Sequence, residues 1–483
     1  MRRLWVGVLV VAALAGAALA DRFYESAPPS PAADRPAEPG GVWVCPVVKV
    51  AGAGGFIHLI NAGDQRATVR ITYIPDGKKP LEQALTLDAQ HARTVGSPGS
   101  IAGQAAGAVV EYAGGEVTVS RTVLIGGLGD VAQGAGAGGL SAGAASCAKP
   151  GGVVQVVPQG ATLRTETQLV IMNPGTGDAV VDIALVSNGQ EVRPVSLQGR
   201  VVPAHRRLVV REGDFIFDAR SVAAVITANG GRIVADALMV ARSIADLIPG
   251  MNATRDLVTV ASSARGAVAF STVAIGDEDA VIEAFVLSSS GRTAYSPLAT
   301  GLAPNAPQVS LAPTVGVPAG AVALAAVSKT SAIALGSRWG VRSSTGKIET
   351  AISSGVLPSN KTVAVVGPPA ATGALRLLVA NPDATEAVLR VAVITESGAT
   401  EPPRLQDVHL GPGRTVTLAF PGLSDKATVG VIVSSTGARI AAALEAIAAP
   451  ANSFAAYAVT GVPFLPAPPV AVEPDARQGV PAP

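Results

Sequence analysis

Two cysteines, four histidines and one dense acidic turn are the residues of this chain whose chemistry could go beyond packing. In an oxidising compartment Cys45 and Cys147 are expected to bond to each other, closing a loop of about 100 residues worth up to roughly 4 to 5 kcal/mol of chain entropy. A metal site is the second reading, although no Cys-x-x-Cys or adjacent His supplies the other ligands, and a pair of free thiols is the third. Asp277-Glu278-Asp279 is the metal candidate, because carboxylates clustered at a loop tip can hold Ca²⁺. Asp64, Asp178 and Asp383 occupy comparable turns, where Asp side chains more often bond nearby backbone amides. His58, His91, His205 and His409 are dispersed, so no catalytic group of histidines is expected. Trp43 and Trp339 could stack on a sugar, but burial in a core is the expectation for both. Asn252-Ala253-Thr254 matches a glycosylation sequon. No cofactor is implied, since Gly346-Lys347 is followed by Ile348 where a phosphate loop requires Ser or Thr.

The elements that must hold these residues come from an internal repeat. An apolar strand running into a polar turn occurs four times: Ile57 to Asn61, Leu169 to Asn173, Ser271 to Ala274 and Leu377 to Asn381. Each is followed six positions later by Ala67, Ala179, Ala280 or Ala387. An alternating strand comes next, with polar Arg70, Asp182, Glu283 and Arg390 between apolar neighbours, the period-2 pattern of a half-buried strand. A third strand follows a Pro- or Gly-containing turn, as at Pro203 and Pro412. A fourth part reads as a hairpin around Gly114-Gly115, Gly230-Gly231, Lys329-Thr330 and Thr436-Gly437, where glycines supply positive φ. The period of about 105 residues, with six or seven strands a copy, fits a β-sandwich and is too long for a propeller blade or solenoid coil.

The fold expected is therefore all-β, a tandem array of four immunoglobulin-like β-sandwich repeats at 43–147, 148–245, 258–341 and 362–461. Linkers are expected at the small-residue segments 126–146, 241–261 and 342–361, and a Pro-rich disordered tail at 462–483. Residues 1–20 form an N-terminal signal or anchor helix. Arg2 and Arg3 precede the apolar run 4–20, and Ala18-Leu19-Ala20 before Asp21 is a cleavage site. Cleavage would release the chain, whereas retention would tether it to the plasma membrane through 4–20, with the Pro-rich 21–42 as spacer. Either way the repeats are extracytoplasmic, and the membrane is touched only through the N-terminal segment. A balance of 36 Lys+Arg against 35 Asp+Glu gives no field to gather nucleic acid.

Trp43-Val44-Cys45-Pro46, with strand-Asn-Pro-Gly-x-x-x-Ala in the second copy and Asp383 for that Gly in the fourth, resembles an actinobacterial exported-protein family of unknown function, domain of unknown function 5719. The third copy departs from the pattern with Ala274-Ile275. The resemblance implies a cell-envelope setting and supplies no catalytic or ligand residues. The function expected is a non-enzymatic scaffold or binding array whose partner is an envelope polymer or another exported protein. The alternatives are an accessory to an envelope glycan-processing enzyme and a carbohydrate-binding module.

Overall fold

The computed structural model describes residues 40–463 except 126–140, 188–189, 242–243, 264–267, 299–301, 304–306, 312–318, 343–347, 367–372, 421–427 and 449–454. The signal or anchor segment with Ala20 and Asp21, nearly all of the 21–42 spacer, the tail beyond 463 and Gly346-Lys347 lie outside the described residues. Residues 39–483 form one compact unit.

The first copy comprises β1 (Gly40–Lys49), β2 (Gly54–Asn61), β3 (Ala67–Pro75), β4 (Leu81–Leu87), β5 (Ala92–Gly96), β6 (Ala106–Ala113), β7 (Val117–Ile125) and β8 (Ser141–Ser146). They make two antiparallel sheets, ordered β1-β6-β3-β4 and β5-β2-β7-β8. The same two orders recur in the other three copies, with the fourth strand broken into two short pieces in the second and fourth. Every copy is thus a β-sandwich with one strand more than the pattern predicts. The extra strand is the eighth, lying in the segments read as linkers: Ser141–Ser146, Ile244–Pro249 and Ile348–Ser354, with Ala455–Thr460 in the fourth copy. Boundaries drawn at 245 and 341 cut through or exclude it, because sequences such as Ile-Ala-Asp-Leu-Ile-Pro and Ile-Glu-Thr-Ala-Ile-Ser-Ser carry no sustained apolar alternation.

The strand order also departs from an immunoglobulin domain. There the first strand pairs with the second and the seventh with the sixth. Here the second–fifth and third–sixth pairings are kept, while the first strand pairs with the sixth and the seventh with the second. The cause is the turn read as a hairpin. Gly114 and Gly115 do take positive φ, +74° and +60°, but they carry the chain from β6 in one sheet to β7 in the other. The turn is an arch, and β1 fills the place beside β6 that β7 leaves. A Cβ at Gly115 would lie 2.6 Å from the Asn61 side chain, so glycine is required twice over.

Asn61 shows why its position recurs. Its Oδ1 accepts the amides of Gly63 and Glu116, and its Nδ2 donates to the carbonyls of Gln65, Leu87 and Asp88. One fully buried side chain therefore joins three loops at one end of the sandwich. Asn173 bonds Gly175, Gly177 and Val202, and Asn381 bonds Asp383, Thr385, Leu410 and Gly411 in the same way. Ala274 cannot, and in the third copy the arch residues Thr330 and Ser331 reach back to the carbonyls of Asp279 and Glu278.

The four sandwiches close on themselves. The outer face of the first sheet in each copy packs on the outer face of the second sheet of the next. Val47 and Val44 of β1 meet Val170, Leu238 and Met172 of the second copy. Val156 and Val186 of the second copy join a core with Phe270 of the third, which continues to Leu378 and Ala443 of the fourth. Val363 and Val365 of the fourth copy return to Ile60 and Ala92 of the first. The eighth strands line the centre, each against those of the two neighbouring copies. Both faces of most strands are consequently buried, which explains the near-continuous apolar runs such as β1 and the low charge content of 15%.

Closure is tested most directly between Thr94 and Thr428, whose hydroxyls meet across the junction of the first and fourth copies. A chain carrying Thr94→Cys and Thr428→Cys should form an intramolecular cross-link under mild oxidation, read as a mobility shift on a non-reducing gel. An open array would leave both thiols titratable.

Candidate functional site

Cys45 and Cys147 form a disulfide, with Cα atoms 4.8 Å apart and both residues buried. It ties β1 to the residue after β8, where Val44 and Ala148 exchange backbone hydrogen bonds, and so locks the first copy shut.

The other residues singled out in the sequence stay apart. Asp277, Glu278 and Asp279 project into solvent from the turn of the third copy, and no group of three or more metal-ligating side chains converges among the described residues. Asp178 accepts the Ala204 amide, and Asp383 pairs with Arg439 at 2.8 Å. His58 is buried between the hydroxyls of Thr94 and Thr122, each 2.9 Å away, and burial depresses its pKa to about 3, so it stays neutral. His91 bonds the Ala89 carbonyl, His205 sits in a left-handed turn and exposed His409 lies 3.4 Å from Glu386. Trp43 and Trp339 are both buried, donating to the Val117 carbonyl and to Glu445, so neither offers a sugar-stacking face. Asn252 is exposed, and its side-chain oxygen accepts the Gly152 amide and the Gln155 amide group.

The structure gathers polar groups instead at the junctions between copies, and each junction differs. Between the first and second, Arg121 of β7 and Asp236 form a fully buried ion pair. Burial holds the Asp236 carboxyl above the usual range even though Arg121 and the amides of Gly250 and Val47 pull it down. Between the third and fourth, Trp339 donates to Glu445, and Arg439 binds Asp256 at 2.8 Å. Between the fourth and first only neutral contacts occur among the described residues, Ser120 to the Val365 carbonyl and Ser146 to that of Thr460.

The junction of the second and third copies contains a cleft. Its floor is Met239, Ile248, Phe270 and Ile352, and its rim is Gln159, Gly160, Arg220, Ser221 and Arg338. The floor residues come from the seventh and eighth strands of the second copy and the second and eighth of the third. Met239 and Ile248 belong to the core of the second copy, which Ile352 of the third joins, and Phe270 packs edge-on against Tyr295 within the third. Arg338 Nη2 stands 3.8 Å from buried Asp246, which also accepts the Thr350 hydroxyl; burial raises the Asp246 pKa to about 6 against both partners. The Gln159 amide nitrogen is buried without a partner. Behind Gly160 lies Glu212, wholly buried, with both carboxyl oxygens unpartnered. Burial pushes its pKa up to about 8, so it is a neutral acid through most of the physiological range. No sequence motif marks this cleft; the only signal for Glu212 is its place just after the apolar run Leu208-Val209-Val210, which equally describes a solvated strand end.

Glu212 gives stability a definite pH dependence. Its folded pKa lies above its unfolded value, so the folded state holds a proton that the unfolded chain releases, and stability falls as pH rises from about 4.5 through about 8. Glu212→Gln should remove that part of the slope. The melting midpoint of the parent should drop relative to the variant between pH 6 and 8, and parallel curves would show that the buried carboxyl does not hold its proton.

The sequence matches none of the curated proteins compared with it. Among solved structures, a Thermotoga maritima protein, 1070, is 14% identical, covering 22% of this chain and 92% of its own, with a TM-score of 0.19. The Anabaena sensory rhodopsin transducer is 25% identical, covering 19% of this chain and 98% of its own, with a TM-score of 0.16. An anti-sigma factor domain-containing protein is 8% identical over 80% of this chain and 95% of its own, at 0.14. The model of a family of unknown function, DUF5719, matches residues 356–449 of the chain.

Proposed function

We propose that the chain is a non-enzymatic, exported protein of the cell envelope that acts as a rigid platform, presenting loops to an envelope polymer or to another exported protein. The observation that carries this reading is the closed packing of the four sandwiches. It consumes the sheet faces, on which many sandwich proteins bind their ligands, and leaves the turns and outer edges as the variable surface. Those turns differ in kind. Three are clamped by a buried Asn, while the third copy presents three exposed carboxylates on a turn held by arch hydroxyls. A frame that fixes chemically distinct loops at set positions suits recognition better than it suits turnover. The disulfide is in keeping with an oxidising compartment outside the cytoplasm. An accessory role beside a glycan-processing enzyme of the envelope is a form of the same reading, with the enzyme as the partner.

The test is cross-linking in intact producing cells with a tag placed after Pro483. Deleting a copy would open the ring and confuse the result, so loops are altered singly. One specific envelope component should be recovered, and its yield should fall at least about tenfold when one loop, such as Asp277-Glu278-Asp279→Ser-Ser-Ser, is replaced while the melting midpoint is unchanged. Recovery indifferent to every loop would overturn the platform reading.

A further inference from the structure

We infer that the cleft between the second and third copies is a binding site for a small carboxylate with an apolar body. Four observations meet there. First, the floor of Met239, Ile248, Phe270 and Ile352 is apolar and contributed by two copies, so it exists only where those two copies pack together. Second, the rim carries two guanidinium groups. Arg220 is exposed and has no ion-pair partner among the described residues, and Arg338 is partly exposed, engaged on one side only by Asp246 at 3.8 Å. Third, Gln159 lines the same cleft, and its amide nitrogen, buried against Gly336, donates to nothing in the resting structure. Fourth, Gly160 keeps the wall open: a Cβ there would lie 2.7 Å from Glu212 Oε2 and 3.2 Å from the Val222 carbonyl.

The charge pattern selects the ligand. Two guanidinium groups and an amide N–H are all donors, and Arg presents the planar fork that matches a carboxylate. Of the two carboxyl groups nearby, Glu212 is wholly buried behind Gly160, and Asp246 is buried beside Arg338 and tied to Thr350, so it orients that guanidinium rather than competing for it. An apolar floor beneath a cationic rim is the pattern of small-molecule sites, in which a few polar groups fix orientation over a hydrophobic surface. A doubly charged inorganic anion would leave the floor unused, and a neutral apolar molecule would leave the arginines and Gln159 unpaired.

Met239 provides a local reporter, because the chain has only four methionines. The full chain, labelled with [¹³C-methyl]methionine, is titrated with benzoate, with benzamide and with inorganic phosphate, and the Met239 signal is assigned by Met239→Leu. Benzoate should shift Met239 saturably while leaving Met172 at the first junction unmoved. Benzamide and phosphate should bind about tenfold more weakly or worse, and Arg220→Gln should weaken benzoate by about tenfold, the loss of one charge-assisted contact. Arg220 is exposed, so this variant keeps the fold; Arg404→Gln, on the fourth copy, should change nothing. No saturable shift with benzoate, an equal response to benzamide, or undiminished binding in Arg220→Gln would overturn the assignment. The outcome is independent of whether a macromolecule docks on the loops.

Discussion

The constraint on which the whole structure depends is that a sheet with two apolar faces must cover both. Each copy covers its inner faces by pairing its own two sheets, and then two outer faces of different kinds remain. Because the first sheet of one copy fits the second sheet of the next, the contact is head-to-tail, and a head-to-tail contact either propagates or closes. Here the fourth copy returns to the first, through Val363 and Val365 on Ile60 and Ala92. At Gly430 of the fourth copy a Cβ would lie 2.3 Å from Ile60 Cδ1, so the closing contact brings one sheet backbone against the side chains of the other. Four copies in one chain remove the unpaired outer faces that a linear array would leave at its ends.

Closure by apolar contact alone would not dictate which copy follows which, since the valine and alanine faces are alike. The polar groups set into them are not alike. The Arg121–Asp236 pair is fully buried, and taking both charges out of water costs several kcal/mol per ion before their attraction and hydrogen bonds offset it. Seating the second copy on any face but that of the first would leave Asp236 buried opposite no guanidinium. Asp246 with Thr350, Glu445 with Trp339, and the hydroxyls of Ser120 and Ser146 impose different requirements at the other junctions. These groups add modest net stability and a large penalty for the wrong order, and the Cys45–Cys147 bond holds the first copy to its shape as the cycle is completed.

Much of the fold was legible in the sequence for a physical reason: a half-buried strand and a clamped turn leave local marks. The recurrent Asn61, Asn173 and Asn381 fall where a side chain must satisfy two or three loops at once, and the alternation around Arg70, Asp182, Glu283 and Arg390 marks strands facing solvent on one side. The eighth strands left no such mark. Their residues, such as Ala142, Ala144, Ala456 and Ala458, are small because they crowd the centre of the ring, and small residues read as linker. The arches were misread because glycines at Gly114 and Gly115 report backbone conformation, φ of +74° and +60°, and say nothing about which sheet the next strand joins. The cleft was invisible for the same kind of reason: Gln159, Arg220 and Arg338 belong to two copies and become neighbours only when those copies pack together.

Ring closure also governs how function can be distributed along the chain. A lone sandwich displays what its own turns and faces carry, whereas in a closed ring the junctions create surfaces that no copy owns. The family match covers 356–449, mostly the fourth copy, yet the cleft with two guanidiniums lies between the second and third. Equivalent junctions carry different polar groups: the first a buried ion pair, the third Trp339 on Glu445, the fourth hydroxyls on backbone carbonyls. The apolar contacts of all four junctions hold the ring together, and between the second and third copies they leave the cleft with its two guanidinium groups.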